Sequence, residues 1–155
     1  MKSFIFLAIG FFLMITPSKA DSPAKPSAKD KCPVCGMFVS KYPEWIALIK
    51  SKDGKSFFFD GAKDMFKFLN QPEKYVQGLG RKQLHEIYVT DYYSLEPINA
   101  MEAFYVMGSD VLGPMGRELI PFLKEEDAKE FMRDHSGKLI LRFEQVTPQV
   151  IKELD

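Results

Sequence analysis

The sequence holds only two cysteines, set close together in Cys32-Pro33-Val34-Cys35 and followed at once by Gly36-Met37. Three chemistries are open to such a pair. A structural disulfide across so short a loop removes little chain entropy, which leaves stability a weak reason for it. A thiol–disulfide exchange site normally opens a helix after the strand of a βαβ unit. This pair instead follows a polar stretch and precedes no helical pattern. A metal site is the third reading, and Met37 favours it. In an extended backbone, residues i and i+2 project to the same side, which would turn the Cys35 and Met37 sulfurs toward one ion. A further thioether is Met115, fenced in Gly113-Pro114-Met115-Gly116. Such a loop offers little packing to an apolar side chain, and surface loops are where function concentrates. Met65 and Met132, on helical faces, read as core fillers, and Met101 and Met107 as packing residues.

One thiolate with two thioethers is a soft donor set, and soft sulfur selects Cu(I) over zinc or the hard cations. Cys32, Cys35, His85 and His135 would supply four zinc ligands, but without finger-like spacing. An iron–sulfur cluster needs more cysteines than the chain has. His135 falls in the last turn of a predicted helix, where a cation suits the macrodipole, and His85 lies in the polar connector Gln83-Leu84-His85-Glu86. Cys32 has two possible roles beside Cys35: an auxiliary ligand, or a disulfide partner that blocks binding until reduced.

The elements that must position these sulfurs are legible in outline. Residues 45–49 and 57–59 are β-prone apolar runs, and Asp53-Gly54 between them is a favoured hairpin pair, both residues tolerating positive φ. Asp60 is expected to cap a helix whose Ala62, Met65, Phe66 and Leu69 fall at i, i+3, i+4 and i+7, ended by Pro72. Residues 87–90 then read as a strand. The order recurs: a strand at 103–107, a long glycine loop from Gly108 to Gly116, and a strand at 119–122 with Pro121 marking an edge. A helix follows with Ala128, Phe131, Met132 and His135 on one face and Gly137 as its C-terminal cap. A strand at 139–143 and a helical turn opened by Thr147-Pro148 complete the chain. The expected fold is α+β, with two tandem ββαβ halves at about 32–98 and 99–155.

Residues 1–20 have the charged start, short apolar run and small-residue end (Ser18-Lys19-Ala20) of a secretory signal. The cysteines lie beyond a polar stretch rather than directly after the apolar run, so no lipid attachment is expected. Residues 21–31, DSPAKPSAKDK, lack large apolar side chains and read as a flexible tether. Export implies an oxidising compartment, a bacterial periplasm. Across the 155 residues, 46% hydrophobic and 27% charged content is that of a folded chain, and 21 basic residues balance 21 acidic ones. That balance leaves no positive field for nucleic acid.

With these motifs in view, the chain resembles the NosL family, the accessory copper chaperones of nitrous oxide reductase. The resemblance rests on Cys32-Pro33-Val34-Cys35-Gly36-Met37, the Asp53-Gly54 hairpin, Phe59-Asp60-Gly61, and Gly108-Ser109-Asp110 through Gly113-Pro114-Met115-Gly116, and spans about residues 32–146. It implies a treble-clef-like tandem ββαβ fold and Cu(I) held by Cys35, Met37 and Met115. It also implies delivery to the periplasmic reductase through a membrane-bound ABC-type maturation complex. Many members are lipoproteins, and the absence of a lipidation cysteine here departs from that pattern. On this reading the protein is a carrier without catalytic residues. The alternatives are a periplasmic thiol–disulfide oxidoreductase using the two cysteines, or an interaction domain exposing Tyr92 and Tyr93.

Overall fold

The structure, a computed structural model, describes residues 23–155; the expected signal segment and the first two tether residues lie outside the described residues. Strands β1 (Ala47–Ser51) and β2 (Ser56–Phe59) form a hairpin, and α1 (Ala62–Asn70) and α2 (Pro72–Tyr75) follow. Next come β3 (Leu84–Thr90) and β4 (Pro97–Asn99). The remainder is a hairpin of β5 (Phe104–Gly113) and β6 (Gly116–Phe122), then α3 (Glu125–Asp134), β7 (Leu139–Arg142) and α4 (Pro148–Lys152). Two antiparallel sheets result, ordered β2-β1-β3-β4 and β6-β5-β7. The chain is therefore α+β, with Pro121 on an edge strand as its missing N–H requires.

The second sheet is apolar on both faces because it lies between two helices. Tyr105, Met107 and Leu119 join a core that includes Phe59, Met65 and Phe66, while Val106, Ile120 and Phe122 pack with Phe131 of α3. The alternation of strand side chains produces this division. Phe66 meets Tyr105 edge-on, ring centres 5.3 Å apart. The fully buried Tyr105 hydroxyl donates to the Ala100 carbonyl at 2.6 Å, so each partner is satisfied in the core. Tyr105→Phe is expected to lower stability by about 1–2 kcal/mol, read from a urea melt, because the Ala100 carbonyl would stay buried without its donor.

Local expectations shift at five places. Only Gly54 of the Asp53-Gly54 pair adopts positive φ, because the connection is wider than a two-residue turn. Pro72 does not merely end α1; it opens α2 from the first helical position. The Gly108–Gly116 loop is largely strand: β5 runs on to Gly113, its ladder with β6 shifting register between Met107 and Leu112, and only Pro114 and Met115 make the turn. At the end of α3 it is Ser136, φ 54°, that takes the left-handed conformation, whereas Gly137 is needed for close approach to Val106 and Met132. Tyr92 is not a free surface ring but half-buried against Phe122 and Phe131. Residues 23–29 carry no helix or strand, and Pro23 and Pro26 line a groove with Leu48 and Tyr88 of the first sheet.

Candidate metal centre

Residues 32–35 form a turn locked at both ends. The Gly36 N–H donates to the Cys32 carbonyl at 2.8 Å, and the Cys32 N–H donates to the Met37 carbonyl at 2.9 Å. Closing it places Gly36 at φ +80°, a left-handed value that suits glycine. The Cys35-Gly36-Met37 backbone is thus bent, and the strand alternation expected to set the Cys35 and Met37 sulfurs side by side does not operate there. The turn presents both cysteines, as free thiols, to the start of α1.

Two carboxylates meet them. The Cys32 thiol donates to Asp64 at 3.4 Å, and the Cys35 thiol to Asp60 at 3.1 Å. One donor atom from each of these four residues lies within 4.8 Å of all the others, with Cys32, Asp60 and Asp64 buried and Cys35 half-buried. Asp60 therefore does not cap α1 as its position before the helix implies. Gly61 occupies the cap position without a side-chain bond, and the Lys63 N–H is instead held by Glu118 of β6 at 2.6 Å. Glu118 reaches it because Gly61 has no side chain: a Cβ there would stand 2.1 Å from its carboxylate oxygen.

Burial sets the proton chemistry of the thiols. Desolvation raises Cys35 to about 12 and Cys32 further, and the neighbouring carboxylates add to the effect. Backbone N–H groups oppose it, from Cys35 and Val34 at the Cys32 sulfur and from Met37 at the Cys35 sulfur. Both thiols hold their protons at neutral pH, and an ion must displace them. A thiol built for disulfide exchange has the opposite property, a lowered pKa.

Met115 stands at the tip of the β5–β6 hairpin and is 44% exposed. It lines a cleft of about 470 Å³ with Lys63, Asp64 and Lys67, so the hairpin tip and the cluster share Asp64 as a border. Met37 is half-buried beside the turn. His135 pairs with Asp110 at 3.1 Å and stacks on Phe131, and His85 is exposed on β3. Neither histidine belongs to the four-residue cluster. Sequence reasoning missed Asp60 and Asp64 as donors. No local signal marks them as a pair, since Asp60 lies before the Gly61 cap and only Asp64 is on the first turn of α1.

A small α+β scaffold that gathers two free thiols and two carboxylates, with Asp64 also bordering the cleft of a methionine-tipped hairpin, has the donor set of a candidate metal-binding protein. A family model, NosL, matches residues 23–151, and the chain belongs to that family. The copper-binding lipoprotein NosL of Stutzerimonas stutzeri is 33% identical over 131 residues, covering 80% of this chain. The chain spans 65% of that relative's length. The crystal structure of the copper chaperone NosL from Shewanella denitrificans matches with a TM-score of 0.70 at 29% identity, over 84% of this chain and 99% of that one. The solution structure of apo-NosL from Achromobacter cycloclastes matches at 25% identity with a TM-score of 0.49, over 68% and 87%.

Proposed function

We propose that this protein is a periplasmic Cu(I) carrier that supplies copper for assembling the metal sites of nitrous oxide reductase, handing it to a membrane-bound ABC-type maturation complex. One observation carries the reading: two free thiols held in a preformed turn against Asp60 and Asp64, with Asp64 also lining the cleft of the partly exposed Met115. Thiolates and thioethers together suit Cu(I), and the names of the relatives from S. stutzeri and S. denitrificans support copper as the cargo. Cys35 supplies the strongest donor, Met37 and Met115 add thioethers that need no deprotonation, and Cys32 is the auxiliary thiolate. Asp60 and Asp64 hold the two thiols in place by accepting their hydrogen bonds, and the protons that copper displaces pass to solvent. The exposed Met115 side leaves room for a recipient's ligand, so copper leaves by stepwise exchange.

The S. stutzeri relative is named a lipoprotein. In this chain the first cysteine, Cys32, follows a polar stretch rather than the apolar run, so on this reading export uses the signal at residues 1–20 without a lipid anchor there. The oxidoreductase alternative is disfavoured by the raised thiol pKa values and the absence of a helix opening at Cys35.

Anaerobic competition against a Cu(I) chelator tests the reading. Met115→Ala is expected to weaken Cu(I) binding about tenfold, the loss of one soft donor, while His85→Ala binds as the parent does. A reduced protein that releases its copper on desalting, or that reduces insulin disulfides at a rate indifferent to Met115→Ala, refutes it.

A further inference from the structure

Lys63 is 3% exposed, although lysine is among the residues least often buried. Its ammonium donates to the Met115 carbonyl at 3.0 Å and to the Leu154 carbonyl at 3.4 Å, with the Asp155 carboxylate 4.0 Å away. Its backbone N–H donates to Glu118 on the same hairpin. One residue therefore grips the β5–β6 hairpin twice, at the tip and at the strand, and it directly precedes Asp64 of the thiol–carboxylate cluster. Packing alone does not call for an ammonium here. A methionine would fill the same volume and carry no desolvation cost. What the ammonium adds is direction: it fixes the peptide unit of Met115 relative to the start of α1.

We propose that Lys63 is a positioning residue for copper loading, holding the hairpin tip so that the Met115 thioether faces the ion bound by the cysteines. The inference rests on the reading of Met115 as a Cu(I) donor. Lys63 touches no metal on this account; it acts only through Met115.

The experiment is a double-mutant cycle on the reduced protein, with Cu(I) affinity read by chelator competition and the copper–sulfur coordination number by X-ray absorption. Lys63→Met is expected to weaken binding about tenfold, within the range seen when supporting residues of metal ligands are removed, and to lower the sulfur count by one. Introduced into Met115→Ala, the same change should cost nothing more. Lys63→Arg keeps the buried charge but not the point of donation; about a threefold loss is expected, again abolished by Met115→Ala. Circular dichroism identifies any variant that fails to fold, and the folded one decides. Unchanged affinity and sulfur count in a folded Lys63 variant overturn the proposal, as does a loss that persists undiminished in the Met115→Ala background. Unchanged affinity in Met115→Ala alone removes the Met115 reading and this inference with it, whereas a weakened Met115→Ala beside an unaffected Lys63→Met removes only the inference.

Discussion

Cys35→Ser is expected to abolish tight Cu(I) binding, with an affinity loss on the order of 10³-fold or more, because the hydroxyl that replaces the thiol supplies neither a soft donor nor a thiolate. The same change at Cys32 should cost less if its role is auxiliary. Cys32 is the deeper of the two thiols and the harder to ionise, so it yields its proton less readily than Cys35. Binding should also tighten as pH rises, since each thiol must shed a proton to coordinate and the folded protein holds those protons above neutrality. Competition titrations on both serine variants at two pH values check each statement. Parental affinity in Cys35→Ser would remove the proposed site.

The second large effect concerns Glu118. Burial pushes its carboxyl up to about 8, against the stabilising pull of the Leu119 and Lys63 amides and the Lys63 charge. An unfolded glutamate releases its proton near pH 4.5, whereas the folded one keeps it until about 8. Between those values the unfolded state binds fewer protons, so stability falls as pH rises; the contribution is complete below 4.5 and lost through 8. Each unit of pKa difference corresponds to about 1.4 kcal/mol, which makes the full decline of the order of 5 kcal/mol. Glu118→Gln keeps an oxygen to accept from the Lys63 and Leu119 amides and removes the titration. Urea melts from pH 4.5 to 8 should slope downward for the parent and lie nearly flat for the variant. Parallel curves would show that Glu118 titrates at its ordinary value.

Much of the scaffold was legible because its signals are local. The spacing of Ala62, Met65, Phe66 and Leu69 announces α1, Thr147-Pro148 announces α4, and Pro121 announces an edge. The elements that escaped are those whose partners lie elsewhere in the chain. The three residues of β4 begin with a proline and form a strand only because β3 offers them a ladder. Gly113 reads as loop until Gly116 of β6 supplies its partner beyond a shifted register. The same distinction divides the site. Two cysteines in one motif advertise themselves, but Asp60 and Asp64 meet them from 25 and 32 residues away. Asp60 looked like a cap because caps are the local use of such an aspartate. Folding gives that duty to a carboxylate from another strand and frees Asp60 for sulfur.

That exchange has a consequence for the order in which the molecule matures. The bond between the Lys63 amide and Glu118 spans 55 residues, so the first turn of α1 is completed only when the far hairpin has arrived. A chain emerging from its N-terminus shows both thiols to the surroundings long before their carboxylate companions are pinned in place. Premature oxidation and stray metal capture belong to that interval, and a fragment stopping short of residue 118 would inherit it permanently.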